Sequence, residues 1–410
     1  MNVVYVTMQF PVPSETFLSL DVETLRTKGV NVEVLGLRPP HSDERKLKAQ
    51  RGHDGMYFRN FTFSTFLDFL KFSILNIPAL LALLTWTIYI NRRSLTHILK
   101  SLILIPSVGG QFYRISRVQP DVVHLFWGHY PSMVGYLVRK YLPKTVLTQF
   151  LGAHDLVANY PGSIALGRRA DFVFTHSRSN LPVIQARGIP DDKIKVVYRG
   201  VDCRINNDFC EVDRVSEVKY VFLTASRLII EKGVDDSIKV FCSFLEKHPS
   251  SVLYIAGDGP DRGKLEGLVR TLGCSDRVFF LGHVDQRKLL SRMSASDIFL
   301  FMSRYESERL PNVVKEAMFR RCLVVTTDTT GIEELVENGK SGFIVPQGDV
   351  ASAVQMIESV IIDPSIQECI KANAFEIISD RFNVQRSMEQ YMKLWSMASR
   401  SLEHGGSNEL

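Results

Sequence analysis

The sequence predicts an α/β chain made of two doubly wound domains, each a parallel sheet with helices on both faces. Three observations predict it. Short apolar runs of strand length recur along the 410 residues, each followed by a loop and a helical pattern. Strands that alternate with helices in this way favour parallel sheets. A charged stretch, residues 203–219, divides the runs into two series, and each half is long enough to bury a core.

In the first series, residues 2–7 read as a strand, 11–14 as a loop and 15–28 as a helix. Ser14 is a good cap for that helix. Further strands are expected at 31–37, 121–126, 145–151, 171–175 and 195–197. The second series starts near Tyr220, with strands at 220–224, 251–256, 277–281, 297–302 and 323–326. Residues 386–400 carry the pattern of a closing amphipathic helix, and 401–410 read as a disordered tail. The expected domains are therefore 1–205 and 206–385. Two such domains imply a cleft between the carboxyl ends of their strands, where ligands bind.

Residues 66–105 break the alternation. Residues 72–90 hold no charge, so a membrane span has to be weighed. A helix beginning at Pro78 offers roughly 20 Å of apolar length before Asn91-Arg92-Arg93, short of the roughly 30 Å hydrocarbon core. Leu95, Ile98, Leu99, Leu102 and Ile103 continue an amphipathic stripe beside Arg92, Arg93 and Lys100. Helices lying in a membrane interface or packed on the first domain are expected ahead of a span.

Composition narrows the compartment and the partners. Cys203, Cys210, Cys242, Cys274, Cys322 and Cys369 show no CxxC or metal-ligand spacing, which points to reduced thiols in a cytoplasmic protein. The first twenty residues lack a basic-then-apolar leader pattern. Residues 1–205 hold 25 Lys/Arg against 14 Asp/Glu, and the remainder 24 against 30. A basic half facing an acidic half suggests different partners for each. No RNA- or DNA-binding motif supports a nucleic-acid partner. An anionic membrane surface or a pyrophosphate-linked acceptor fits the basic half better.

The densest chemistry lies in Ser303-Arg-Tyr-Glu-Ser-Glu308-Arg-Leu-Pro311-Asn-Val-Val-Lys-Glu316-Ala-Met318. It follows the apolar run Ile298-Phe-Leu-Phe-Met302. Pro311 suits a first helical turn, where its missing N–H costs nothing. Glu308 then sits in a strand-to-helix loop and Glu316 about one turn into the helix, on the same face as Asn312. The free amides of a helix start form an anion site. Carboxylates beside such a start can hold sugar hydroxyls while backbone holds phosphate, a combination that suggests a nucleotide-sugar enzyme. Arg227 and Lys232 are five apart across another strand-to-helix turn, so both can reach one diphosphate, Arg bidentately and Lys as a point charge. No Asp-x-Asp pair sits in the expected cleft loops, which argues against a metal-bridged diphosphate.

These motifs resemble the family 4 retaining glycosyltransferases, which have the GT-B fold of two Rossmann-like domains. Glu308-x7-Glu316 looks like that family's donor motif. The series continues through Ser226-Arg-Leu-Ile-Ile-Glu-Lys232-Gly233, Tyr254-Ile-Ala-Gly257-Asp-Gly259-Pro260 and Val278-Phe-Phe-Leu-Gly282-His-Val284. It ends with Thr327-Asp-Thr-Thr-Gly331-Ile-Glu-Glu334 and Gly342-Phe-Ile-Val345. It spans nearly the whole C-terminal half in the family's order. The N-terminal half matches more loosely, through Tyr198-Arg-Gly200-Val-Asp202 and a region near Gly152–Asp155.

The resemblance implies a hexosyltransferase-type enzyme that needs no metal or cofactor beyond its nucleoside-diphosphate-sugar co-substrate. Glu308 would hold the transferred sugar and support charge at its anomeric centre. Arg227 and Lys232 would face the leaving diphosphate, and fixed cations there stabilise developing charge without a metal. Glu316 would bind ribose. Leu310, Pro311, Asn312 and Val313 would contact sugar and phosphate, and Gly282 and Val284 would border the base. Two positions depart from the family pattern. Arg309 stands where the family usually has a glycine, which lets backbone approach the ligand. Leu151 stands where the family has a donor-facing histidine, leaving His154 or His129 as candidates, with His124 more in keeping with core. Ser14 and Glu15, at the end of the first strand, are acceptor-binding candidates.

The expected product is a surface polysaccharide, lipopolysaccharide or capsule, built on a saccharide or lipid-linked saccharide acceptor. The enzyme would work in the cytoplasm, peripherally at the inner face of the membrane. The alternatives are a non-catalytic GT-B partner and an epimerase or phosphorylase of the same fold.

Overall fold

The computed structural model describes residues 1–12, 15–51, 57–204 and 217–405. The chain divides into two compact units, residues 1–199 with 384–410, and residues 200–383.

The first unit is built on seven strands: β1 (Asn2–Thr7), β2 (Asn31–Gly36), β3 (Tyr57–Arg59), β4 (Val122–Leu125), β5 (Val146–Phe150), β6 (Phe172–Thr175) and β7 (Ile194–Val196). Their order is β3-β2-β1-β4-β5-β6-β7, with every pairing parallel. Successive side chains of a strand point to opposite faces. In β1, Val3 and Tyr5 enter one core, with Leu18 and Val22 of the helix Thr16–Thr27 and Met388 and Trp395 of the helix Val384–Gly405. Val4 and Val6 enter the other, with Phe72, Leu83 and Phe112 from the helices Phe63–Leu75, Ile77–Ile90 and Leu95–Val118. Trp395 is fully buried and donates Nε1–H to Thr148 Oγ1 at 3.2 Å.

The second unit has six strands: β8 (Tyr220–Ala225), β9 (Ser251–Ala256), β10 (Val278–Gly282), β11 (Ile298–Phe301), β12 (Leu323–Thr327) and β13 (Phe343–Val345). They lie in the order β10-β9-β8-β11-β12-β13, again all parallel. Phe222, Ile298 and Leu300 pack against Ile238, Phe241 and Phe244 of the helix Val234–Lys247. In both units the winding reverses beside the first strand, between β1 and β4 and between β8 and β11. Open α/β sheets bind ligands outside the carboxyl ends of their strands at such a point.

Several expectations are corrected. The first unit ends at Arg199 rather than 205, because Val201 already bridges Asn383 and its amide donates to the Phe382 carbonyl. The closing helix runs Val384–Gly405 rather than 386–400, and it belongs to the first unit. It therefore takes in the start of the tail expected at 401–410; residues 406–410 lie outside the described residues. Strands β3 and β13, of three residues each, are not among the expected strands. Pro311 precedes the helix Asn312–Phe319 instead of opening it, and that helix buries Val314, Lys315, Ala317 and Met318.

The reduced-thiol expectation fails for Cys242 and Cys274, which are paired as a disulfide with Cα atoms 6.4 Å apart. The pairing arises because Cys274, in the turn before β10, packs into the same core as the helix that carries Cys242. A sequence separation of 32 gives no hint of it.

Among the described residues, no single helix is long and apolar enough to cross a membrane. The helices Phe63–Leu75 and Ile77–Ile90 reach that length only together, and the chain bends by 105° between them.

Candidate active site

Strand order in the second unit decides which loops meet. The segment after β8 carries Arg227 and Lys232, and the segment after β11 carries Ser303 and Glu308. Because β8 and β11 are neighbours, the two loops rise side by side. The Lys232 ammonium pairs with Glu308 Oε2, and Ser303 Oγ donates to the same oxygen at 3.3 Å. Lys232 and Glu308 are both mostly shielded, at 17% and 14% side-chain exposure, so their attraction is less screened than at an open surface. Arg227 is exposed, and no side chain among the described residues pairs with it.

The lysine turn is held in place by backbone. Gly233, next to Lys232, has φ of +62°, and a Cβ there would stand 1.7 Å from the Met302 carbonyl oxygen. Only glycine fits that left-handed, close-packed position. From the other side, Arg304 N–H donates to the Glu231 carbonyl at 2.7 Å, and the single Ser303 hydroxyl proton is shared between that carbonyl and Glu308 Oε2, each 3.3 Å from Oγ. The Arg304 guanidinium bonds Asp235 and Asp236 in the first turn of the helix Val234–Lys247. Arg304 thus clamps the Glu308 loop to the Lys232 turn. Sequence reasoning passed over it. The signal was present in its place directly after Ser303 and in the acidic pair two residues beyond Gly233.

Leu310 and Pro311 are buried, and Asn312 and Val313 are half-buried at the start of the helix Asn312–Phe319. The first amides of a helix have no carbonyl one turn back. Glu316 lies one turn in and accepts from Gln286 Nε2 at 2.8 Å. Burial pushes its pKa up to about 7 against the opposing pull of Gln286, Lys315 and Arg320. Gln286 opens the helix that follows the 281–285 loop, so the bond ties Glu316 to the end of β10. There Leu281, His283, Val284 and Arg292 line a cavity of about 400 Å³. Gly282 has φ of +66°, and its carbonyl accepts from Gly257 N–H at 2.8 Å. Glu316, Gly282 and Val284 therefore share one neighbourhood.

Arg309 resolves one of the departures. It is not among the described residues with positive φ, so its backbone accommodates a side chain without strain. Its guanidinium turns back onto the carbonyls of Glu306 and Glu308, at 2.7 and 3.0 Å.

The first unit's reversal point is built differently. Glu15 precedes the helix after β1, and Trp127 and His129 follow β4. Trp127 Nε1–H donates to Glu15 Oε1 at 3.0 Å. Burial raises the Glu15 pKa, partly offset by that bond and by Arg199. His129 Nδ1 lies 3.1 Å from Oδ1 of the buried Asp155, and its ring contacts Trp127, Tyr130 and Tyr160. His154 is exposed on the short helix Ala153–Val157, and its ring centroid is 6.5 Å from that of Tyr160. Leu151 is core. His124 is core as well, bonded to Thr148 at 2.9 Å and lowered by burial to about 3. The Arg199 guanidinium lies 3.9 Å over the Phe17 ring and 4.7 Å over Phe150. Ser14 lies outside the described residues.

Residues 210–377 match the family profile described as glycosyl transferases group 1. Alpha-D-kanosaminyltransferase of Streptomyces kanamyceticus is 24% identical over 268 residues, 63% of this chain and 69% of that one. The lipopolysaccharide core biosynthesis glycosyltransferase LpsE of Rhizobium meliloti is 24% identical over 277 residues, 64% of this chain and 79% of that one. Among solved structures, Anabaena HepE in complex with UDP and glucose superposes with a TM-score of 0.71 at 20% identity, covering 97% of this chain and all of that one. Over residues 210–377 the chain resembles the group 1 glycosyltransferases, and its two units have the two-domain GT-B fold.

Proposed function

We propose that this glycosyltransferase moves a sugar from a nucleoside-diphosphate sugar to a saccharide or lipid-linked saccharide, with retention of configuration, in the assembly of a surface polysaccharide or lipopolysaccharide core. The observation that carries the proposal is the convergence of Lys232, Ser303 and Glu308 at the reversal point of the second unit, beside a helix start. Breaking the sugar–phosphate bond leaves negative charge on the diphosphate. Lys232, held by Glu308, and the exposed Arg227 are cations suited to meet it, which supports transfer without a metal. Glu308, shielded and oriented by Ser303, is suited to the positive charge that develops on the sugar. Glu316 and the cavity at Val284 suit ribose and base.

The relatives include polysaccharide and lipopolysaccharide enzymes, and HepE was solved with UDP and glucose, which supports a UDP-sugar as the first donor to try. Glu15 of the first unit is the acceptor-side candidate, and His129 and His154 are the candidates for the donor-facing histidine. The basic, partly apolar first half supports a peripheral place at the cytoplasmic membrane face.

The test is donor turnover, by hydrolysis or transfer, with chelator present. Replacing Glu308 with alanine should lower turnover by about 10²–10³-fold. Turnover unchanged by Glu308→Ala, or abolished in the wild type by chelation, would contradict the proposal.

A further inference from the structure

The helices Phe63–Leu75, Ile77–Ile90 and Leu95–Val118 present an outer surface unlike the rest of the chain. A helix packed on a soluble domain turns its apolar stripe inward and polar residues outward. Ile77–Ile90 buries only Ala79, Leu83 and Thr87, a narrow stripe at spacings of four. Its outward positions are apolar too: Ile77, Leu81 and Tyr89 are 55%, 55% and 63% exposed. Phe63–Leu75 buries only Thr65 and Phe72, and leaves Ile74 and Leu75 mostly in solvent. On the third helix, Leu95, Leu99 and Ile103 form a stripe at spacings of four, 77%, 62% and 77% exposed. Large apolar side chains left exposed on three neighbouring helices mark an interaction site.

The charges indicate the partner. Residues 63–103 contain Lys71, Arg92, Arg93 and Lys100 against the single acid Asp68. Asp68 is already paired with Arg114. Arg92, Arg93 and Lys100 are exposed beside the apolar stripe. A second copy of the chain would bring like charges together. An anionic lipid leaflet complements them and accepts apolar side chains at the same time. Next to this surface, a cavity of about 610 Å³ is walled by Trp86, Tyr89 and Tyr136 with Arg168 and Arg169. Trp86 stacks on Tyr136 at 4.8 Å. Aromatic rings beside arginines are the side-chain set of a membrane–water interface. At about 1.5 Å per residue, the 14-residue middle helix spans only about 21 Å, short of a hydrocarbon core.

We infer that the outer faces of these three helices form a docking surface for an anionic bilayer, entering it shallowly and without crossing. The inference rests on the membrane-face reading above but not on the transfer chemistry. Sedimentation of the full chain with phosphatidylcholine vesicles, with and without phosphatidylglycerol, tests it. Binding to the anionic vesicles should be at least about tenfold tighter than to the neutral ones, and should weaken with salt. A triple variant, Leu95→Ser, Leu99→Ser and Ile103→Ser, should lose binding to the anionic vesicles. Arg92→Glu with Arg93→Glu should lose the preference for them. Both variants should keep the wild-type thermal shift with nucleotide, which shows that they fold. Equal binding to both vesicle types, vesicle binding unchanged in both variants, or a dimer broken by the triple variant without vesicle binding would overturn the inference. If vesicle binding fails while donor turnover still depends on Glu308, the transferase reading stands alone. If the reverse is found, the docking surface stands alone.

Discussion

The two units share one winding order and use its reversal point in opposite ways. Beside β8 and β11 the loops bring together an ionic set, Lys232 with Glu308 and Arg304 with Asp235 and Asp236. Beside β1 and β4 the loops bring together an aromatic, largely desolvated set, Glu15 with Trp127 and His129 with Asp155, walled by Tyr130 and Tyr160. Topology determines where a site can form, and the side chains that the loops deliver determine what it can hold. Fixed cations suit a diphosphate. Aromatic walls with a shielded carboxylate suit a saccharide, whose apolar faces stack while its hydroxyls donate.

The largest expected effect on this contrast comes from Gly233→Ala. A Cβ cannot coexist with the Met302 carbonyl, so the lysine turn must move. Chemical denaturation should show a loss of more than about 3 kcal/mol, with donor turnover lost alongside it. Next comes Arg304→Ala, which strips the clamp from Asp235 and the buried Asp236. A loss of about 1–3 kcal/mol is expected, with a fall in kcat larger than the change in nucleotide affinity. In the first unit, Trp127→Phe removes the donor to the half-buried Glu15 at a cost of about 1 kcal/mol. It should alter acceptor KM and leave nucleotide affinity unchanged.

The smallest effect is a pH dependence. Glu316 keeps a proton up to about pH 7 in the folded chain, whereas an ordinary carboxyl releases it near 4.5. The folded state therefore holds more protons between those values. That contribution to stability is present in acid and is lost as pH rises through about 7. Binding of ribose hydroxyl donors runs the other way, because the ionised carboxylate is the better acceptor. Nucleotide affinity should rise by less than about tenfold between pH 6 and 8, and the rise should vanish in Glu316→Gln. A rise that survives the substitution would assign the titration to another group.

Much of this was legible in sequence because strand alternation and the spacing of chemical groups are local signals. The runs at 2–7, 251–256 and 297–302 became strands with little change, and the order of motifs from Arg227 to Glu316 matched a single unit of the fold. What escaped reading depends on contacts between distant segments. β3 and β13 are three-residue strands completed by their neighbours' backbones rather than by their own apolar length. The helix Val384–Gly405 returns to the first unit because Met388, Tyr391 and Trp395 fill the face opposite the apolar helices, which no local pattern announces. Cys242 meets Cys274 only once two segments share a core. The Arg304 clamp likewise exists only after β8 and β11 are neighbours.

The central claim is that the ionic reversal point of the second unit is the donor site and the aromatic one of the first is not. Titration calorimetry of a nucleoside diphosphate with full-length Lys232→Ala and Glu15→Ala tests it directly. Lys232→Ala should weaken binding at least about tenfold, while Glu15→Ala should stay within about twofold of the wild type. Equal losses in the two variants, or a loss confined to Glu15→Ala, would contradict it.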